Sequence, residues 1–381
     1  MDTPLELKEI GARLRKVDML LMSLAKKRMD LALEVERRKS ISLNPAERRI
    51  FNFEREIERL KAVSDWAVQN GVNPYFAQSL LYLMINESCK QQMIQLQNRG
   101  DSPASHATDE REWLELLDRN LLILTKLWSE TYDTYYDKAF FATHSYLDFE
   151  NSVIDKEIER LPDRKCFVDI GCATGRLTVQ LARKFERTVG YDISRDMILK
   201  AKQKISTNNE LNISFDIADI QGGIPEPSGS VSFVVMNLGT ASDIRELPKV
   251  LKEVSRVLRP HGRFLFSFYN KEALLYRWDF IPWTTGLAAE INLAKNCLDV
   301  HKGNEILSVY AKPYTVDEVL EMIKDGLSVS EVQTYPTVSA IRPNDLFQDQ
   351  PEVQKPIISI DNALASSNGG AYIVLTGSKT K

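Results

Sequence analysis

An all-helical domain followed by an α/β domain is the fold class this sequence predicts, on three observations. Between Leu5 and Lys39 there is no proline and a single glycine, Gly11, while apolar residues recur every seven positions. From Cys166 onward, strand-like apolar runs alternate with helical patterns, the signature of a parallel-dominated sheet with helices on both faces. Between the two lies NRGDSPASHATDE (Asn98–Glu110), small, polar and proline-bearing, which is linker composition. The expected division is 1–97, a linker with a connecting helix over 98–130, and a second domain over 131–381.

In the first domain Leu7, Leu14, Leu21, Arg28 and Val35 fall seven apart, as do Ile10, Val17, Leu24 and Leu31. This is an a/d seam on one very long helix, which cannot bury that face by itself and needs partner helices or a second subunit. SISLNP (Ser40–Pro45) breaks the helix. A second is expected from about Ala46 to Gln69, with Ile57, Leu60, Val63 and Trp66 on one face, and GVNP (Gly71–Pro74) ends it. A third runs from Tyr75 to Gln97, and a connecting helix from Trp113 to Trp128.

The net charge of −4 gives the molecule no general attraction for nucleic acid, and the second domain has no dense basic stretch. The four cysteines are scattered without a CxxC pair, so neither a zinc site nor a disulfide framework is expected. MDTPLELKEI carries charge where a signal peptide is apolar, and no apolar run is long enough to span a bilayer. A cytoplasmic protein with no membrane partner is the expectation.

In the second domain strands are expected at 166–171, 187–192, 212–216, 231–237, 262–269, 305–311, 329–335 and 371–377. The first ends in Asp169 and runs into Gly171, Ala173 and Gly175 ahead of a helix; small residues there let a ligand approach the backbone and the free amides of the helix start. A dinucleotide fingerprint would want a third glycine where Arg176 stands, which disfavours NAD. The next strand ends in Asp192, an acid suited to a ribose diol. SRDMILKAK opens a helix with Met197 and Ile198 toward the pocket, FDIADI supplies Asp219 and Ile220, and Asn237 ends the fourth strand.

In this order the segments resemble the class I S-adenosylmethionine-dependent methyltransferases, from about Tyr132 onward. The resemblance implies a Rossmann-like domain with S-adenosylmethionine as cofactor. Asp169, Gly171, Ala173 and Gly175 would line its methionine end, and Asp192, with Ile193 beside it and Met197 facing it, would hold the ribose. Asp219 and Ile220 would meet the adenine, and Asn237 would sit at the tip of the fourth strand. Tyr132, Tyr135, Tyr136, His144, Tyr146 and Asp148 fall where a lid is expected, with His144 a candidate general base. FYNKEALLYRWDFIPW (Phe268–Trp283) is a candidate substrate wall.

Arg28 is the oddity of the helical domain, because it holds a seam position where the heptad asks for leucine, and a buried cation needs an anion. Lys39 projects from a similar face three turns on. Arg55 and Glu56 stand on the second helix with Asn52 one turn earlier, and Ser88 and Gln92 are one turn apart on the third. Converging in a bundle, they make a pocket for a small polyanion. RMDLALEVERRK, EREIERL and ESCKQQ together resemble the all-helical AroQ-type (type II) chorismate mutases, over about Leu5 to Gln97. The resemblance implies an intertwined homodimer that converts chorismate to prephenate. Arg28 and Arg55 would bind the carboxylates, Lys39 and Gln92 would donate to the ether oxygen, Glu56 would accept from the ring hydroxyl, and Asn52 and Ser88 would line the site. One departure is Gly11, where the family carries an arginine; Lys8 and Arg15 lie one turn away on either side.

The expected protein is a bifunctional enzyme, a mutase joined to a methyltransferase acting on a small shikimate-derived or carboxylate-bearing acceptor, with no metal. Two alternatives stand beside it. One is a carboxy-S-adenosylmethionine synthase fed with prephenate, which needs Arg245, Arg277 or Arg342 for the carboxylates; the other is a methyltransferase whose helical module only dimerises or senses chorismate.

Overall fold

The computed structural model describes residues 7–41, 53–98, 110–137, 141–205, 212–277, 288–302, 305–323, 326–341 and 350–380. They form two compact units, one of residues up to Ser105 and the other of nearly everything from His106.

The first unit has three helices, α1 (Leu7–Ile41), α2 (Phe53–Gln69) and α3 (Pro74–Asn98), with α3 packed against both others. The turn before α3 is built as its sequence requires. Gly71 takes a left-handed φ of 68°, and Asn73 Oδ1 accepts the Tyr75 and Phe76 amides at 2.9 and 3.2 Å, capping the helix. Leu60 and Ala67 of α2 are buried with Tyr82 and Ile85 of α3. Trp66, expected on the packed face, is exposed; the small Ala67 takes the contact instead, where a bulky indole would hold two helices apart. Every apolar member of the α1 seam, from Leu7 through Val35, is exposed.

The second unit opens with α4 (Glu110–Ser129), α5 (Tyr132–Asp137) and α6 (Phe141–Glu159). Then come β1 (Cys166–Ile170), α7 (Arg176–Leu181), β2 (Arg187–Asp192), α8 (Arg195–Ile205), β3 (Ile213–Ile217), β4 (Val231–Met236), α9 (Leu247–Val257), β5 (Leu258–Tyr269) and α10 (Leu274–Arg277). The rest is β6 (Ala288–Asn292), β7 (Cys297–Lys302), β8 (Glu305–Tyr310), α11 (Val316–Met322), β9 (Leu327–Tyr335), α12 (Pro351–Leu364) and β10 (Tyr372–Lys379). The main sheet has the order β3-β2-β1-β4-β5-β10-β9, parallel from β3 through β5, with β10 antiparallel to both neighbours. Alternate residues of one strand feed opposite cores: Val168 and Val234 pack on one face, Phe167 and Phe233 on the other. That is why these strands read as continuous apolar runs.

Three features differ from the sequence reading, the first being β6 and β7, which fall outside the expected strands. The strand expected at 305–311 is β8, but it leaves the main sheet and joins β6 and β7 in a separate three-stranded one. That sheet packs on α4, with Leu124, Val300 and Val309 buried between them and Asn120 Nδ2 donating to the Ser308 carbonyl at 2.9 Å. β5 begins at Leu258, inside what reads as a turn, because Leu258 already pairs with Val231 before the register shifts.

Candidate functional site

A cleft of about 320 Å³ opens at the carboxyl ends of β1, β2 and β4, where an open α/β sheet reverses its winding and binds ligands. Ile170, Gly171 and Ala173 form one wall. Gly171 has φ 71°, and a Cβ there would stand 2.5 Å from Thr240 Cγ2, so only glycine fits. Ala173 takes φ 47° and gives its amide to Asp192 Oδ2 at 2.8 Å; Ser194 gives its amide to Oδ1 at 2.8 Å. Both Asp192 oxygens are thereby aimed from the end of β2 and keep lone pairs for a diol. Burial raises its pKa, partly offset by the Ser194 and Ala173 amides. Ile193 and Met197 line the cleft beside it, and Ile193 is 43% exposed, an apolar surface that a flat ligand would cover. Asp219, Ile220 and Asn237 complete this half as expected.

Three expected residues lie elsewhere. Gly175 is absent from the cleft wall: a Cβ there would meet the Phe215 ring at 2.4 Å, so this glycine lets α7 close on β3. Asp169 sits one layer beneath the wall, 1% exposed. Thr178 Oγ1 donates to its Oδ2 at 2.6 Å, while Oδ1 is buried without a hydrogen-bond donor among the described residues. Burial pushes this carboxyl up to about 7. Ile198, expected in the pocket, is instead in the cluster with Cys172, Ala201 and Phe215.

The cover also differs from expectation. Tyr132 lines the cleft, whereas His144 and Asp148 are exposed on α6 away from it, and Tyr146 is buried beneath it. The Tyr135 and Tyr136 side chains lie outside the described residues, as do Arg277's and Arg342. The opposite wall comes from α4, through Asp118, Leu121 and Trp128, and from Leu298 and Tyr310 of the small sheet. Arg245 crosses from the loop after β4 to pair with Asp118, its guanidinium carbon 5.7 Å from the Tyr310 ring centre. Nothing local in the sequence marks α4 as a cleft wall; its amphipathic pattern reads equally well as a connector.

In the helical unit the structure brings Arg28, Ser88 and Gln92 together. Arg28 Nη1 donates to the Met84 carbonyl at 2.5 Å and to Ser88 Oγ, crossing from α1 to α3. Gln92 Nε2 donates to the Ala32 carbonyl at 3.0 Å and keeps a second N–H. Ser88 and Gln92 are both buried, and so is Glu36, an acid on α1 that the sequence reading passed over. The side chains of Lys39, Arg55 and Glu56, and Asn52 as a whole, lie outside the described residues. At Gly11 a Cβ would come within 3.9 Å of Arg15 Nη1, so the Arg15 guanidinium reaches over the bare backbone left by the missing side chain.

Residues 10–93 match the family model described as chorismate mutase type II, and residues 163–326 match one described as a methyltransferase domain. The chain joins a chorismate mutase type II domain to a methyltransferase domain. Among curated relatives, the ubiquinone/menaquinone biosynthesis C-methyltransferase UbiE of Rickettsia akari is 30% identical over 135 residues, 33% of this chain and 53% of that protein. Magnesium-protoporphyrin O-methyltransferase of Rhodobacter capsulatus is 29% identical over 175 residues, 43% of this chain and 75% of that protein. The chain spans about half the length of the UbiE relatives it matches. A solved S-adenosylmethionine-dependent methyltransferase from Clostridium acetobutylicum ATCC 824 aligns with 67% of this chain and 100% of its own, at 15% identity and a TM-score of 0.46.

Proposed function

We propose that the protein is a bifunctional enzyme that rearranges chorismate to prephenate in its helical domain and transfers a methyl group from S-adenosylmethionine in its α/β domain. The acceptor is a small shikimate-derived or carboxylate-bearing molecule. The observation that carries this reading is the presence of both domains in one chain; the contact of Arg28 with Ser88 beside Gln92, and Asp192 held by two amides, support it.

The mutase reaction is a pericyclic rearrangement with no covalent intermediate, so the site has to fold the substrate and stabilise the ether oxygen as its bond breaks. Arg28 binds a carboxylate, and Gln92 and Lys39 donate to the ether oxygen. Arg55 takes the second carboxylate, Glu56 the ring hydroxyl, and Asn52 and Ser88 line the pocket. Arg15, reaching over Gly11, supplies the remaining cation. The bare α1 seam supports a homodimer through this domain.

The residues of the cleft fit the cofactor. Asp192 has lone pairs for the ribose hydroxyls, Ile193 and Ile220 give apolar walls for the adenine with Asp219 at its edge, and the donorless Asp169 Oδ1 answers to a cationic head. Gly171, Ala173, Met197 and Asn237 shape the methionine side, and Gly175 acts through packing. When bound, the cofactor supplies an electrophilic methyl group on a sulfonium. What this chain adds is alignment of the acceptor and exclusion of water, which α4 and the small sheet provide by covering the cleft. Among the described residues no helix is long and apolar enough to cross a membrane, and Cys166, Cys172 and Cys297 are free thiols, which suits a cytoplasmic setting.

Incubating the protein with chorismate, with and without S-adenosylmethionine, tests both halves. Loss of chorismate absorbance with appearance of prephenate is expected, and a methylated product by mass spectrometry when the acceptor is present. Persistence of chorismate would reduce the helical domain to a dimerising or sensing module, and a carboxylated sulfonium would make the α/β domain a synthase.

A further inference from the structure

The turn that closes β4 has a backbone problem. After Met236 pairs with Phe266 the chain leaves the sheet, and Leu238 and Gly239 both take positive φ, 50° and 84°. Their amides point into the protein, where an unpaired N–H costs as much as a lost hydrogen bond. Two buried side chains answer them. Glu150 Oε1 on α6 accepts the Leu238 amide at 3.1 Å, and Ser267 Oγ on β5 accepts the Gly239 amide at 3.0 Å. Tyr146 ties the pair together, its hydroxyl donating to Glu150 Oε1 at 2.8 Å and lying 2.6 Å from Ser267 Oγ. Glu150, Tyr146 and Ser267 are at most 2% exposed.

A glutamine could accept the same two bonds without placing an ionisable group in the interior. A carboxyl is the more expensive choice, and its surroundings give it a use. The groups that act electrostatically on this cluster are Tyr146 on the same helix, Asp169 on β1, Arg176 at the start of α7, Asp192 at the end of β2, which acts on Asp169, and Tyr372 on β10, which stacks on Tyr146. Arg176, the residue that occupies the third-glycine position, acts on both Glu150 and Asp169. Two buried acids thus share one cation, beneath the cleft at Asp169 and under its rim at Leu238.

We propose that Glu150 is a positioning residue that clamps the Asn237–Gly239 turn, and that the Glu150–Asp169–Arg176 cluster links this clamp to cofactor binding through a proton. The inference rests on the S-adenosylmethionine reading above. Burial holds each acid at about 7, with the Tyr146 and Leu238 donors partly offsetting it at Glu150. Near neutral pH the cluster without ligand is therefore partly protonated, and its two acids titrate as a pair. A cationic ligand over Asp169 favours the ionised cluster, so binding expels a proton. The charged Glu150 then accepts more strongly from Leu238 and stiffens the turn that Asn237 and Leu238 present to the cleft.

Calorimetric titration of the full chain with S-adenosylmethionine, in buffers of different ionisation enthalpy from pH 6 to 8, tests this. The wild type should release about half a proton near pH 7 and bind more tightly as the pH rises. Glu150→Gln, which keeps the acceptor but not the charge, should bind somewhat more weakly than the wild type at pH 8, release less proton and show a flatter pH profile. Glu150→Ala should weaken binding by about tenfold because the Leu238 amide loses its acceptor, and Tyr146→Phe should weaken it less, because Glu150 keeps that bond but loses the hydroxyl that holds it in place. Equal proton release and equal pH profiles in wild type and Glu150→Gln, a protein whose fold the substitution preserves, overturn the proposal. Absence of binding by the wild type at every pH overturns the cofactor reading itself.

Discussion

The two halves of this chain solve the burial problem in opposite ways. The α/β unit is self-contained: β1, β4 and β5 are covered on both faces, and its cleft is made from strand ends anchored in that core. The helical unit leaves a full-length apolar seam of α1 bare, and among its described residues the buried polar side chains lie where α3 meets α1, apart from Gln78, which reaches the Leu60 carbonyl of α2. A site at the end of a sheet is assembled by the fold of one chain. A site on a helix that cannot cover itself depends on what covers the helix.

The largest effect that would sharpen this contrast is on assembly. Leu14→Asp with Leu21→Asp touches nothing in the isolated chain, where both leucines are exposed, and should be silent if the unit stands alone. If the seam is a dimer contact, two buried carboxylates cost several kcal/mol and association should weaken by roughly 10³-fold in sedimentation, with mutase activity falling alongside. S-adenosylmethionine binding should not change. Next in size, Arg28→Ala removes a charge-assisted grip and should lower mutase kcat/KM by about 10- to 100-fold, leaving the α/β unit untouched. Conversely, Asp192→Ala should weaken cofactor binding by about 10- to 100-fold with mutase kinetics unaltered. An effect of either substitution on the other activity would break the picture of two independent sites.

A further effect, of similar size, is on stability. Glu150 and Asp169 have folded values near 7, raised above those of an unfolded chain, so the folded state holds their protons more tightly. Their cost is absent below about pH 4, accrues as the pH climbs toward 7, and levels off above it. Without ligand, Glu150→Gln should therefore gain stability over the wild type as the pH goes from 5 to 8, by roughly 1–3 kcal/mol in denaturant unfolding of the α/β unit.

Much of this could be read directly from the chain. Asp192 and Gly171 were legible because their roles are local: a strand end, a tight turn and a helix start lie within a few residues of each other, and a left-handed φ selects glycine. The long first helix and its need for a partner followed from periodicity alone. Gly175 misled because glycine is also what close packing of α7 on Phe215 demands, and the two needs look alike in one dimension. The tandem of Ser88 and Gln92 was visible as a one-turn spacing; that Arg28 meets Ser88 was a matter of helix packing.

What the sequence determined by itself, then, is the long first helix, the strands of the main sheet and the residues at their ends, since each depends on propensity and spacing along a short stretch. Only the tertiary structure decided that β8 deserts the main sheet, that α4 becomes a wall of the cleft, and that Glu150 reaches Leu238 from 88 positions away. Those are contacts between segments distant in the chain, made because a bare strand face or an unpaired amide must find a partner, and no pattern within either segment encodes which partner it finds.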